Sequence, residues 1–79
     1  MKLKNRVLVI TGGASGLGQA TARYMVSEKG AKVALLDLNE AAGTATVEEL
    51  GEENAIFCQT DVTSEESIDV AIAAIMDKF

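Results

Sequence analysis

Val7-Leu8-Val9-Ile10-Thr11-Gly12-Gly13-Ala14-Ser15-Gly16-Leu17-Gly18 decides the fold of this chain. A short apolar run enters a glycine-rich stretch with no charged residue in it, the pattern of a buried strand, a tight turn and the opening of a helix. In that arrangement backbone N–H groups and a helix N-terminus approach the same point, which suits the phosphates of a nucleotide. Gly12 permits the sharp exit from the strand, Gly16 keeps side chains away from the phosphates, and Gly18 lets the helix pack closely on the sheet. A flexible loop is the plainer reading of a glycine pattern standing alone. The strand before it and the helix after it argue against that reading here.

Working outward, two more short apolar runs follow, Val33–Leu36 and Ala55–Cys58, each bounded by turn or cap residues. Such runs fit strands buried on both faces of a parallel sheet. Helices are expected between and after them. The first spans Gly16 to Lys29, with Leu17, Ala20, Thr21, Tyr24 and Met25 as its inward face and Gly30 as its left-handed stop. Its position on that face makes Tyr24 a core residue. The second spans Glu40 to Leu50 between Asn39 and Gly51, and Gly43 weakens it by up to about 1 kcal/mol relative to alanine. The third opens on a Thr63–Glu66 capping box and carries Ile68, Ala71, Ile72, Ile75, Met76 and Phe79 at helical spacing. The order β-α-β-α-β-α over residues 1–79 implies one α/β domain, a parallel sheet with helices on both faces. In the usual winding the first strand is flanked by the second on one side and by a fourth on the other. No fourth strand lies within these residues, so the first strand has an open apolar edge, a hazard for association.

Asp37 ends the second strand, 19 residues beyond Gly18, where a ribose diol would be gripped. Its charge repels a 2′-phosphate, and neither Ser15 nor Leu38 supplies a cation to reverse that, so NAD is favoured over NADP. The alternative is a helix-entry aspartate competing with Asn39 for the cap. Asp61 and Val62 follow the third strand at the same edge of the sheet. Asp61 could accept from an adenine amino group while Val62 flanks the ring; a turn aspartate fits its position equally well.

Composition removes several function classes. A net charge of −5 argues against a nucleic-acid surface, and no apolar run approaches the length of a membrane helix. The basic start before Val7 leads into too short an apolar run for a secretory signal. With no histidine there is neither Ser-His-Asp nor Cys-His machinery, and the commonest metal ligand is missing. The one cysteine, Cys58, sits in an apolar run and reads as a buried structural thiol, consistent with a reducing cytoplasm.

Thr11-Gly12-x-x-x-Gly16-x-Gly18, the acid at Asp37 and the pair Asp61-Val62 resemble the N-terminal part of a short-chain dehydrogenase/reductase. The stretches Gly12–Gly18, Leu36-Asp37-Leu38 and Asp61–Glu65 are most similar to the type-2 3-hydroxyacyl-CoA dehydrogenase branch. The resemblance implies half of a Rossmann-type doubly wound sheet, with NAD held by Gly12, Ser15, Gly16, Leu17 and Gly18 at the pyrophosphate side. Asp37 would hold the adenine ribose, and Asp61 and Val62 would line the adenine pocket. The intact enzyme would move a hydride between NAD and an alcohol or ketone, such as a 3-hydroxyacyl thioester, as a homo-oligomer. The family's catalytic serine and its Tyr-x-x-x-Lys pair have no counterpart here, so this chain alone is expected to be silent. The competing reading is a non-catalytic nucleotide-binding module that self-associates through its open sheet edge.

Overall fold

The strand Lys32–Asp37 (β2) lies between its two neighbours, and Val33, Ala34, Leu35 and Leu36 in it are all buried. A strand covered on both faces cannot alternate polar and apolar residues, which is why this run reads as continuously apolar. β1 (Val7–Thr11) and β3 (Ala55–Gln59) pair with it in parallel, giving the order β1-β2-β3. Leu8 stands opposite Val33, and Val33 opposite Ala55. The computed structural model describes residues 4–79, and the strands extend one residue beyond the sequence reading at most ends.

Three helices alternate with the strands: α1 (Gly16–Lys29), α2 (Glu40–Leu50) and α3 (Glu65–Lys78). Val33 and Leu35 point toward α1 and α2 and pack with Ala22 and Ala55, joined by Met25, Val47 and Phe57. Ala34 and Leu36 point the other way, against Ala71 and Ile75 of α3. The caps on α1 and α2 follow expectation. Gly30 is left-handed at φ 70°, and the Asn39 side chain accepts from the Ala42 N–H. Between these two helices Thr46 is fully buried, donating to the Ala42 carbonyl and accepting from Gln19 Nε2. Arg23 closes the outer rim with a bidentate pair to Glu49.

Three expectations are corrected. The buried residue of α1 is Ala22, with Met25 and Val26 half-buried, whereas Leu17 is 83% and Tyr24 49% exposed. Met25 does face the core, but Leu17 and Tyr24 do not, because the helix start lies against backbone and leaves room there only for small residues. Secondly, α3 is capped by Ser64, whose hydroxyl accepts from the Ser67 N–H, and not by Thr63. Thr63 is held in the preceding loop by donating its N–H and hydroxyl to Asp61. Thirdly, the apolar stripe of α3 is split: Ala71 and Ile75 are buried, but Ile72, Met76 and Phe79 are exposed.

Both outer strands are edges. Val9 of β1 is 53% exposed on the face that carries α3. At the opposite edge the Lys78 ammonium donates to the Ala55 carbonyl and so covers part of β3.

Gly43 gives the fold's sharpest test of packing against propensity. A Cβ there would stand 2.1 Å from Phe57 Cδ1, so the ring of β3 occupies the space a side chain would need. Helix propensity favours Gly43→Ala by up to about 1 kcal/mol, while the clash costs about 1–3 kcal/mol. The substitution is expected to lower the urea midpoint read by far-UV circular dichroism. A raised midpoint would show that the ring gives way freely.

Candidate functional site

The turn between β1 and α1 is held from below by the sheet and from the side by β2. Gly12 takes φ 67° and donates its N–H to the Leu36 carbonyl at 2.7 Å, which carries the β1–β2 ladder past the end of the strand. Gly18 is fixed by contact. A Cβ there would lie 2.1 Å from the Gly12 carbonyl oxygen and 3.0 Å from Gly13 Cα. The close packing expected at Gly18 is therefore made by the helix on its own turn and not on the sheet. This draws the N-terminus of α1 over the turn.

That N-terminus carries no charge of its own. The first turn of α1 holds no acidic residue, whereas α2 opens with Glu40 and α3 with Glu65 and Glu66. Ser15 is the extended cap residue, and its hydroxyl makes no capping hydrogen bond. The unpaired N–H groups of the first turn and the helix dipole thus face an uncompensated position suited to an anion. Gly16 begins the helix, and Leu17 stands out into solvent beside it.

Asp37 reaches this turn across the sheet edge. Its Oδ2 accepts from the Ala14 N–H at 3.2 Å and its Oδ1 from the Asn39 N–H at 3.1 Å. Asn39 caps α2, so Asp37 does not compete for that role. Gly12, Asp37, Asp61 and Val62 line one open cleft of about 420 Å³, together with Thr11, Leu38 and Thr63. Leu38 and Val62 are 64% and 51% exposed, and with Leu36 they give the lining an apolar part beside its two acids. Ser15, Gly16, Leu17 and Gly18 lie outside this cleft, at the adjoining turn. A somewhat larger hollow, about 450 Å³, lies along β3 near Phe57 and Lys78, remote from the glycine-rich turn. It contains none of the turn's donors, so the smaller cleft is the candidate site.

Asp61 serves the local turn. It accepts from both the N–H and the hydroxyl of Thr63, and these bonds, the hydroxyl's first, hold its carboxyl below the ordinary carboxylate range. Burial pushes the Cys58 thiol up, which keeps it protonated and inert. Among the described residues no group of acids and thiols is arranged to hold a metal ion, and no helix is long and apolar enough to cross a membrane. Ala14, Leu38 and Thr63 were missing from the sequence-derived site. The Asp-x-Thr spacing of 61 and 63 was a legible sign of a hydrogen-bonded turn. Nothing local marked Ala14, whose role depends on a residue 23 positions away.

A strand, a glycine-rich turn, a helix and an acid ending the next strand define a Rossmann-type nucleotide-binding unit. The chain belongs to the short-chain dehydrogenase family, whose model matches residues 6–79. It is 48% identical over 77 residues to human 3-hydroxyacyl-CoA dehydrogenase type-2, an alignment covering 98% of this chain and 29% of that protein. A short chain dehydrogenase/reductase from Burkholderia phymatum, solved in complex with NAD, superposes with a TM-score of 0.90 at 32% identity. That match covers 100% of this chain and 28% of the other. L-Sorbose reductase from Gluconobacter frateurii, complexed with NADPH and L-sorbose, gives 0.88 at 26% identity, covering 100% and 31%.

The Asp61 and Glu49 carboxyls, both lowered by hydrogen-bond partners, contribute to the acid limb of stability. A carboxyl whose folded value lies below its unfolded one stabilises above the unfolded value and loses that contribution as pH falls through the folded one. The urea midpoint should hold near neutrality and fall below about pH 4. Asp61→Asn should flatten part of that limb in a titration of midpoint against pH. An unchanged limb would mean the loop bonds do not favour the ionised carboxylate.

Proposed function

We propose that these residues form the NAD-binding part of a short-chain dehydrogenase that transfers a hydride between NAD and an alcohol or ketone. The observation that carries this reading is the cleft that joins Gly12, Asp37, Asp61 and Val62 beside an uncharged helix N-terminus. The pyrophosphate would lie against the turn and the first turn of α1, contacting Gly12, Ser15, Gly16 and Leu17, with Gly18 holding the helix close. The ribose would donate to Asp37, and the adenine ring would lie between Leu38 and Val62 near Asp61. Relatives of this fold carry either NAD or NADPH, so the choice must come from local charge. Here an anion at position 37, with no cation among the described residues that line the cleft, opposes a 2′-phosphate.

NAD supplies the hydride chemistry when bound, and these residues supply its binding and orientation. Tyr24 is followed four residues later by Glu28, so the 79 residues contain no Tyr-x-x-x-Lys pair for proton transfer. They bind the cofactor without performing catalysis. The 48% identity to a 3-hydroxyacyl-CoA dehydrogenase supports a 3-hydroxyacyl thioester as the substrate of the whole enzyme.

A second reading rests on the open edge of β1. Val7 and Val9 are exposed there, and Ile72 and Met76 of α3 are also uncovered. A homo-oligomer formed through this edge would pair the strand and bury these side chains. Sedimentation of this chain at rising concentration should show a dimer or larger, and Val9→Lys should shift it to monomer. A monomer throughout would remove this reading.

The cofactor reading is tested by calorimetric titration. NAD is expected to bind at least about tenfold more tightly than NADP, the discrimination of one like-charge contact. Equal affinities would mean Asp37 does not face the ribose.

A further inference from the structure

We propose that Asp37 is a positioning residue for the glycine-rich turn as well as the acceptor for the ribose diol. The inference deepens the cofactor reading above and rests on it. Its ground is the division of labour in one carboxylate. Oδ2 accepts from the Ala14 N–H in the middle of the turn, and Oδ1 accepts from the Asn39 N–H at the entry to α2. The turn has few other side-chain ties. Ser15 makes no capping bond, and Gly12 and Gly16 both take positive φ with open space around them. Ala14 itself is 2% exposed, so its N–H lies at a buried point of the turn with the carboxylate as its partner.

A carboxylate oxygen has more than one acceptor direction, so the diol can join the same group without displacing Ala14 or Asn39. The site for phosphate and the site for ribose are then linked through a single side chain. Asp37 fixes the turn before any ligand arrives, so the turn's donors are ordered in advance of the pyrophosphate they meet.

This role and simple ribose binding predict opposite signs. If Asp37 acts only on the hydroxyls, removing its charge should leave a diphosphate lacking those hydroxyls unaffected or bound more tightly, because a nearby anion is gone. If it also orders the turn, the same change should weaken that ligand. The probe is 2′,3′-dideoxy-ADP, compared with ADP, titrated by NMR into the full chain and its Asp37→Ala and Asp37→Asn variants. Asp37→Ala is expected to weaken dideoxy-ADP by about three- to tenfold. Asp37→Asn keeps an acceptor for Ala14 and should retain most of the dideoxy-ADP affinity while losing the preference for ADP.

Amide exchange of Ala14 without ligand gives the second readout. It should quicken by about tenfold in Asp37→Ala and stay near the parent rate in Asp37→Asn. Unchanged or tighter dideoxy-ADP binding by Asp37→Ala, or an Ala14 amide that exchanges alike in all three folded chains, overturns the proposal. The exchange comparison needs no ligand, so it decides the positioning role even if ADP fails to bind the parent chain. That failure would instead overturn the cofactor reading.

Discussion

The approach of α1 to the turn before it is the constraint on which the rest depends. With the Gly12 carbonyl 2.1 Å from where a Cβ at Gly18 would sit, helix and turn meet backbone to backbone. That contact fixes where the helix begins, and with it the direction of the first-turn N–H groups. It also dictates what the inward face of α1 can be. Ala22 lies one turn beyond Gly18 and is fully buried, so the start of the helix packs through small residues, Met25 and Val26 join the core further along, and Leu17 and Tyr24 remain outside.

The sheet completes the arrangement. β2 is buried on both faces and ends at Asp37, on the same edge as the glycine-rich turn and the loop after β3. Parallel pairing in register brings three strand ends together, and the cleft forms between the segments that leave them. Its acids are placed with some economy. Asp61 is engaged by Thr63 and serves its own loop, while Asp37 reaches from β2 to the turn of β1. Among the described residues, the one helix start without an acid is the one that closes over that turn.

The edges show what these residues leave exposed. β1 carries Val7 and Val9 outward, and α3 keeps only Ala71 and Ile75 of its stripe against the sheet. The chain spans about 29% of the length of the curated relatives it matches. The exposed apolar surface lies on β1, on Leu17 and Tyr24 of α1, on the outer side of α3 and at the rim of the cleft, while β3 is partly covered by Lys78.

The element order, the caps at Asn39 and Gly30 and the parallel sheet were legible in the sequence, because each follows from local rules. A glycine stops a helix, an asparagine starts one, and a continuous apolar run marks a strand covered on both faces. The acids at 37 and 61 were legible as strand-end residues for the same reason. What tertiary structure alone decided are the contacts between segments far apart in the chain. Gly43 reads as a weakness in a helix until Phe57 is seen to fill the space beside it. Thr63 reads as a cap until Asp61 draws it into the loop, and Asp37 reads as a ribose ligand until its bond to Ala14 places it in the turn as well. Local propensity is written in neighbouring residues, but a shared volume or a shared hydrogen bond exists only once the chain has brought both partners together.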